Sequence, residues 1–196
     1  MDLSSTTDEA KTAPEGREGR RLPALVAGAA VAVVAVVVAV LLLSKDDAEA
    51  PKLRLDEPKI VSADALRAFA ESARQPVYWA GERSGERLEL TKTRPGNVFV
   101  RYLLGGAAAG DPRPKFTTVG TYPVKDAYES IRERGRNAQG TIEEKGPEDA
   151  RVVIFAKRPT SVYVAYPQSH HLIEVYAPSA PAARRLALSD EISAID

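Results

Sequence analysis

Residues 22–43, LPALVAGAAVAVVAVVVAVLLL, run for 22 positions without a charged side chain, and nothing else in the chain constrains its folding as much. At 1.5 Å per residue, a helix of this length spans the roughly 30 Å hydrocarbon layer of a bilayer. A helix of a soluble domain needs a polar face, and this run offers none. The sequence therefore predicts a disordered tail at 1–21, a transmembrane helix at 22–43, a polar linker at 44–58 and a domain at 59–188, with 189–196 as a terminal tail.

Charge beside the span sets its expected direction. Arg20 and Arg21 abut the apolar run on its N-terminal side, with Arg17 and Lys11 further back. Beyond it, Lys45, Lys52 and Arg54 are diluted by Asp46, Asp47 and Glu49. Cationic flanks stay in the cytoplasm, and acidic residues contribute little. The N-terminus is expected inside and the domain outside the cytoplasmic membrane, with the lipid bilayer as first partner. Ala48-Glu49-Ala50 has the small-x-small spacing of a signal-peptidase site, but the apolar core exceeds the usual 7–15 residues. Pro51, with its locked φ and missing N–H, fits an extended cleavage cleft badly. The segment reads as an uncleaved signal anchor of a single-pass protein. The wealth of Ala, Val and Arg matches a GC-rich bacterial coding bias.

Composition excludes several functions. The 27 basic and 27 acidic residues cancel, leaving no basic footprint for a nucleic acid. Cysteine is absent, which removes thiol nucleophiles, disulfides and thiolate metal sites together. A domain of this length must be held by its core alone.

Two stretches of the domain can be superimposed. Residues 87–102, RLELTKTRPGNVFVRY, match 151–166, RVVIFAKRPTSVYVAY, at six of 16 positions. Upstream of each stands a helix start, Asp64-Ala65-Leu66 and Asp126-Ala127-Tyr128, and a third such start is at Ser179. Similarity at a fixed period marks a repeated supersecondary unit. The expected architecture is α-βββ-α-βββ-α, an α+β class with an antiparallel sheet and helices mostly on one face. Its repeats would run over 59–115 and 116–178, followed by a terminal helix at 179–188. Arg94-Pro95-Gly96-Asn97 predicts a type II turn, and Thr160 in the second copy predicts a type I turn. Alternation places Leu88, Leu90, Val98, Val100 and Tyr102 toward a core and Glu89, Thr91 and Arg101 away from it. Both faces of the second copy are apolar, so those strands are expected to be covered on both sides or to form part of an interface.

No catalytic set is visible. His170 and His171 are adjacent, and on a strand their rings point to opposite faces, so they cannot share a metal ion. The segment Gly105 to Pro112 resembles a phosphate loop only superficially, because it lacks the Gly-Lys-Ser/Thr ending and leads toward a strand. It reads as a surface loop and a place for partner contact. Glu143-Glu144 and Glu148-Asp149 lack the alternating oxygen ligands and tight glycine turn of a calcium loop, and are expected to be solvated in a loop. No Gly-x-Ser-x-Gly turn accompanies the histidines, so a serine nucleophile is unsupported. Trp79, a lone tryptophan on a short strand, reads first as a core or half-buried residue. Alternation puts one of Tyr78 and Trp79 toward the core and the other toward solvent, and the pair is the best binding candidate if Trp79 is exposed. The sequence calls for no cofactor and no metal. It is read as a non-enzymatic extracytoplasmic domain that binds a protein partner; the alternative is a binder of a small molecule or cell-envelope ligand in a cleft between the repeats near Trp79 and Tyr78.

Overall fold

A computed structural model describes residues 57–195. The expected tail, the transmembrane span and most of the linker lie outside these residues. Among the described residues no helix is long and apolar enough to cross a membrane.

The chain enters through the edge strand β1 (Lys59–Val61) and turns into helix α1 (Ala63–Ala73). Ser62 caps this helix, its Oγ accepting the Ala65 N–H at 3.1 Å, which satisfies one of the four otherwise orphaned first-turn donors. Ala63, Leu66 and Ala70 form its buried stripe, the i, i+3, i+7 spacing of an amphipathic helix. Arg74, with φ 51°, ends the helix in the left-handed conformation. There follow β2 (Val77–Trp79), β3 (Glu86–Lys92), β4 (Val98–Leu104) and β5 (Thr118–Pro123). Helix α2 (Ala127–Asn137) leads to β6 (Thr141–Lys145), β7 (Arg151–Phe155), β8 (Ser161–Ala165) and β9 (His171–Tyr176). Helix α3 (Ala180–Ala187), capped by Ser179, and β10 (Ser193–Ile195) close the described chain.

Eight of these strands form one antiparallel sheet in the order β1-β3-β4-β5-β9-β8-β7-β6. Strands β2 and β10 pair separately into a ribbon. The fold class is α+β, with a large antiparallel sheet and three helices among the described residues. The first face carries the larger core: Val98, Val100, Val162, Val164 and Ile173 pack with Leu66 of α1, Val77 and Ile195 of the ribbon, and Leu186 of α3. The second face holds Phe99, Val153, Tyr163 and Leu172 against Ala127 and Ile131 of α2. Fully burying each such side chain contributes roughly 1.5–3 kcal/mol.

The two meanders, β3-β4-β5 and β7-β8-β9, correspond residue by residue. Phe99 pairs with Gly120 across β4–β5, and Tyr163 pairs with Glu174 across β8–β9. Phe99 and Tyr163 are equivalent positions of the superimposed stretches, so Gly120 and Glu174 are equivalent too. These two residues face each other across the central β5–β9 pairing, and a pseudo-twofold axis normal to the sheet therefore passes between them. The helices do not follow this symmetry. Helices α1 and α3 lie on the first face and α2 on the second, so the correspondence expected to include the helix starts stops at the strands.

Two other local expectations are corrected, and a third holds in a setting the sequence did not show. Gly96 donates to the Thr93 carbonyl at 2.9 Å, so the first turn centres on Arg94-Pro95, one residue early, and Gly96 follows at φ 88°. Glu143 and Glu144 lie on the edge strand β6, not in a loop. Glu89 and Arg101 are 3% and 6% exposed; they do point away from the larger core, as alternation requires, but the 105–117 segment folds over them.

Candidate functional site

Tyr78 and Trp79 sit in the core, at 9% and 8% exposure. The alternation that should turn one of them outward fails because β2 lies flat on the first face of the main sheet. Its backbone is pinned there: the Tyr78 N–H donates to Thr121 Oγ1 at 2.9 Å, and the Ala80 N–H to Tyr102 Oη at 2.6 Å. Burial pushes the Tyr102 phenol up to about 12. The Tyr78 ring stacks on Tyr166, centroids 5.7 Å apart and nearly parallel. The Arg67 guanidinium of α1 stands 5.9 Å from the Trp79 ring, within cation–π range. The structure thus brings the two sequence-predicted residues together with Tyr166, Tyr102 and Arg67, as packing partners around a pinned ribbon.

The 105–114 loop is anchored from below. Glu89 and Arg101 form a two-pronged ion pair, with Nε 2.8 Å from Oε1 and Nη2 3.2 Å from Oε2. Glu89 Oε2 also accepts the Gly110 N–H at 2.6 Å, and Arg87 donates to the Ala107 carbonyl. Tyr176 Oη reaches the Pro114 carbonyl at 2.6 Å. Asp111 is clasped by Arg113, which holds its carboxyl well below the usual carboxylate range. The loop tip at Gly105, Gly106, Ala108 and Ala109 remains exposed but offers no large or charged side chain.

A second polar cluster lies on the pseudo-axis. Glu174 is 2% exposed. Tyr122 Oη stands 2.6 Å from its Oε2 and Tyr163 Oη 3.5 Å from its Oε1, with Ser161 as a further partner. Gly120 opposite leaves the room this arrangement needs: a Cβ there would stand 3.0 Å from the Tyr122 ring. Burial raises the Glu174 carboxyl and, with the adjacent carboxylate, raises the Tyr122 phenol. The cluster was not anticipated from sequence. The available signal was an acidic residue inside the apolar run of β9, LIEVY, opposite a strand glycine.

The edge strand β6 carries the most exposed large apolar side chain described, Ile142 at 53%. Its acidic residues are paired, Glu143 with Arg151 at 2.6 Å and Glu144 with Arg184 at 2.8 Å. Beside it, a depression of about 450 Å³ is lined by Tyr128, Glu143, Glu144, Lys145, Asp149, Ala150 and Arg151. Arg151 covers the Tyr128 ring at 4.4 Å, and Lys145 pairs with Asp149. The depression therefore presents charges already matched within the chain. Glu148 and Asp149 at its rim both have positive φ, 52° and 58°.

His170 and His171 lie at the start of β9. His170 Nδ1 accepts the Asp126 N–H at 3.3 Å; burial, then the His170 charge, lowers His171. Among the described residues no group of three His, Asp or Glu is placed to hold a metal ion. The chain is thus an α+β protein whose sheet faces are both largely covered. No protein-family model, no curated protein and no solved structure matches it.

Proposed function

We propose that this chain is a single-pass protein of the cytoplasmic membrane whose extracytoplasmic domain is a non-enzymatic interaction module for a protein partner. The observation that supports this reading is the closed seam between the meanders. Gly120, Phe99, Tyr122 and Glu174 are buried on one face of it, and Tyr78 and Trp79 on the other, so packed side chains fill the region between the repeats on both faces. What remains for recognition is surface: the β6 edge with Ile142, and the exposed tip of the 105–114 loop. Edge strands present unpaired backbone groups to partners, and the charges on β6 restrain indiscriminate pairing. We also read the meanders as copies of one unit, because register, palindromic strand order and six identities agree.

A second reading, binding of a cell-envelope ligand, draws on the depression beside Tyr128, whose size falls within the 300–1,000 Å³ of small-molecule sites. Both readings are tested by a photo-crosslinking residue at Ile142, at Ala109 and, as control, at the exposed Glu71 of α1, in intact cells. One discrete protein adduct from Ile142 or Ala109, absent from Glu71, is expected. Glycan or lipid adducts alone would favour the second reading, and no site-specific adduct would defeat the first. The cysteine-free chain makes topology directly measurable. Ala109→Cys should react with a membrane-impermeant maleimide in intact cells and Ser5→Cys only after permeabilisation; the reverse pattern would overturn the orientation.

A further inference from the structure

Two acidic residues are buried on the sheet among the described residues, Glu89 and Glu174. They are treated differently. Glu89 meets Arg101 in a two-pronged ion pair. Glu174 meets only neutral groups in direct contact: Tyr122 from β5, and Tyr163 and Ser161 from β8. Gly120, its cross-strand partner on β5, contributes no side chain, and Phe99 on β4 is apolar. The cations on this side are Arg158 in the β7–β8 turn and Arg134 on α2. Both influence Tyr163, and Arg158 also acts on Glu174, from beyond salt-bridge contact. Arg158 Nη1 is itself buried without a hydrogen-bond partner, and no ion pair joins this guanidinium to Glu174. The Glu89–Arg101 pair is committed elsewhere, next to Phe116.

A carboxylate buried without a cation in contact carries a large desolvation cost, and the usual resolution is to keep a proton. The O–H of a protonated Glu174 has an acceptor at once in the Tyr122 hydroxyl, at 2.6 Å. We propose that Glu174 is a proton-binding site of the folded domain, and that release of this proton loosens the β5–β9 seam joining the two meanders. The proton leaves to solvent as the carboxyl ionises. The charge left on the pseudo-axis must then draw in water or pull Arg158 inward, and either displaces Tyr122 from its seat over Gly120. The raised carboxyl agrees with this geometry. A group raised on folding stabilises fully below its unfolded value, and that contribution is lost as pH rises through the folded value. The domain is therefore held more tightly at acidic pH, and the seam weakens from the ordinary carboxylate range upward. In the proposed topology this proton is exchanged with the medium outside the cell.

The test uses the full chain with carboxyl-¹³C glutamate. Glu174→Gln keeps the shape and hydrogen bonds of the protonated form and identifies the Glu174 resonance by its loss; should it not fold, Glu174→Asp serves the same purpose. The wild-type resonance is expected to titrate above the ordinary glutamate value of 4.5. A midpoint at or below that value overturns the proposal. Amide exchange in β5 and β9, corrected for the intrinsic effect of pH, should accelerate by up to about tenfold per pH unit between the ordinary glutamate range and that midpoint, and level off above it. It should be flat in Glu174→Gln; equal pH slopes in the two proteins would show that another group controls the seam.

Discussion

The two meanders share backbone and register, yet their second faces have opposite chemistry. In the first, positions 89 and 101 hold a buried Glu–Arg ion pair. In the second, the equivalent positions are Val153 and Ala165, both buried and apolar. The coverings differ in step. The first is roofed by an irregular loop whose free backbone N–H groups need acceptors, and Glu89 supplies one to Gly110. The second is roofed by α2, which satisfies its own backbone and asks only for apolar contact. The first faces, which share one continuous core, carry matching valines, Val98 and Val100 with Val162 and Val164. A strand pair thus tolerates either chemistry, and what lies on top of it selects between them.

The sharpest way to break this comparison is Arg101→Ala, which strands a buried carboxylate and should cost about 3–5 kcal/mol. The double change Glu89→Val with Arg101→Ala copies the second meander and should recover more than half of that loss. Urea unfolding followed by fluorescence of Trp79, the single tryptophan of the chain, measures both. If the double variant is no more stable than Arg101→Ala, the ion pair holds the loop in a way the comparison misses.

Strand β2 crosses between the meanders, touching Tyr102 and Thr121 of the first and Tyr166 beyond β8 of the second. Tyr78→Ala and Trp79→Ala should each cost roughly 3–5 kcal/mol, as loss of a large buried side chain does. Thermal melts read by circular dichroism check this. A near-neutral effect at either position would return it to the recognition surface.

Smaller, and specific to the pseudo-axis, is Gly120→Ala. The added Cβ would stand 3.0 Å from the Tyr122 ring and 3.3 Å from the Phe99 ring, and a crowded core methyl costs about 1–3 kcal/mol. The smallest expected effect is at Ile142, where replacement by Thr should leave stability within about 0.5 kcal/mol while weakening crosslinking from that edge. A large loss of stability there would mean that β6 is structurally committed and not a free edge.

Much of the strand pattern was legible. The hairpins at 87–102 and 151–166, the short strand at Trp79, the helix starts near Asp64 and Ser179, and the doubly covered second meander all follow from hydrophobic periodicity and local residue preferences, which act within a few residues. The misses share a cause. Glu143 and Glu144 look like loop residues because an edge strand buries little and tolerates charge on both faces. Tyr78 and Trp79 looked like a half-exposed pair because alternation assumes that one side of a strand meets solvent. Glu174 carries no decisive signal within its own strand because its meaning depends on Gly120, 54 residues earlier.

By itself, then, the sequence determined the apolar run at 22–43, the α+β class, the matched hairpins and the absence of cysteine chemistry. Each depends on composition or on short-range periodicity. Only the tertiary structure decided which helix covers which face, that the 105–117 segment closes over Glu89 and Arg101, that both β2 aromatics are buried, and that Glu174 lies on an axis without a cation in contact. The physical reason is that burial and electrostatics are properties of neighbours in space, and in an antiparallel sheet those neighbours come from strands far apart in the chain.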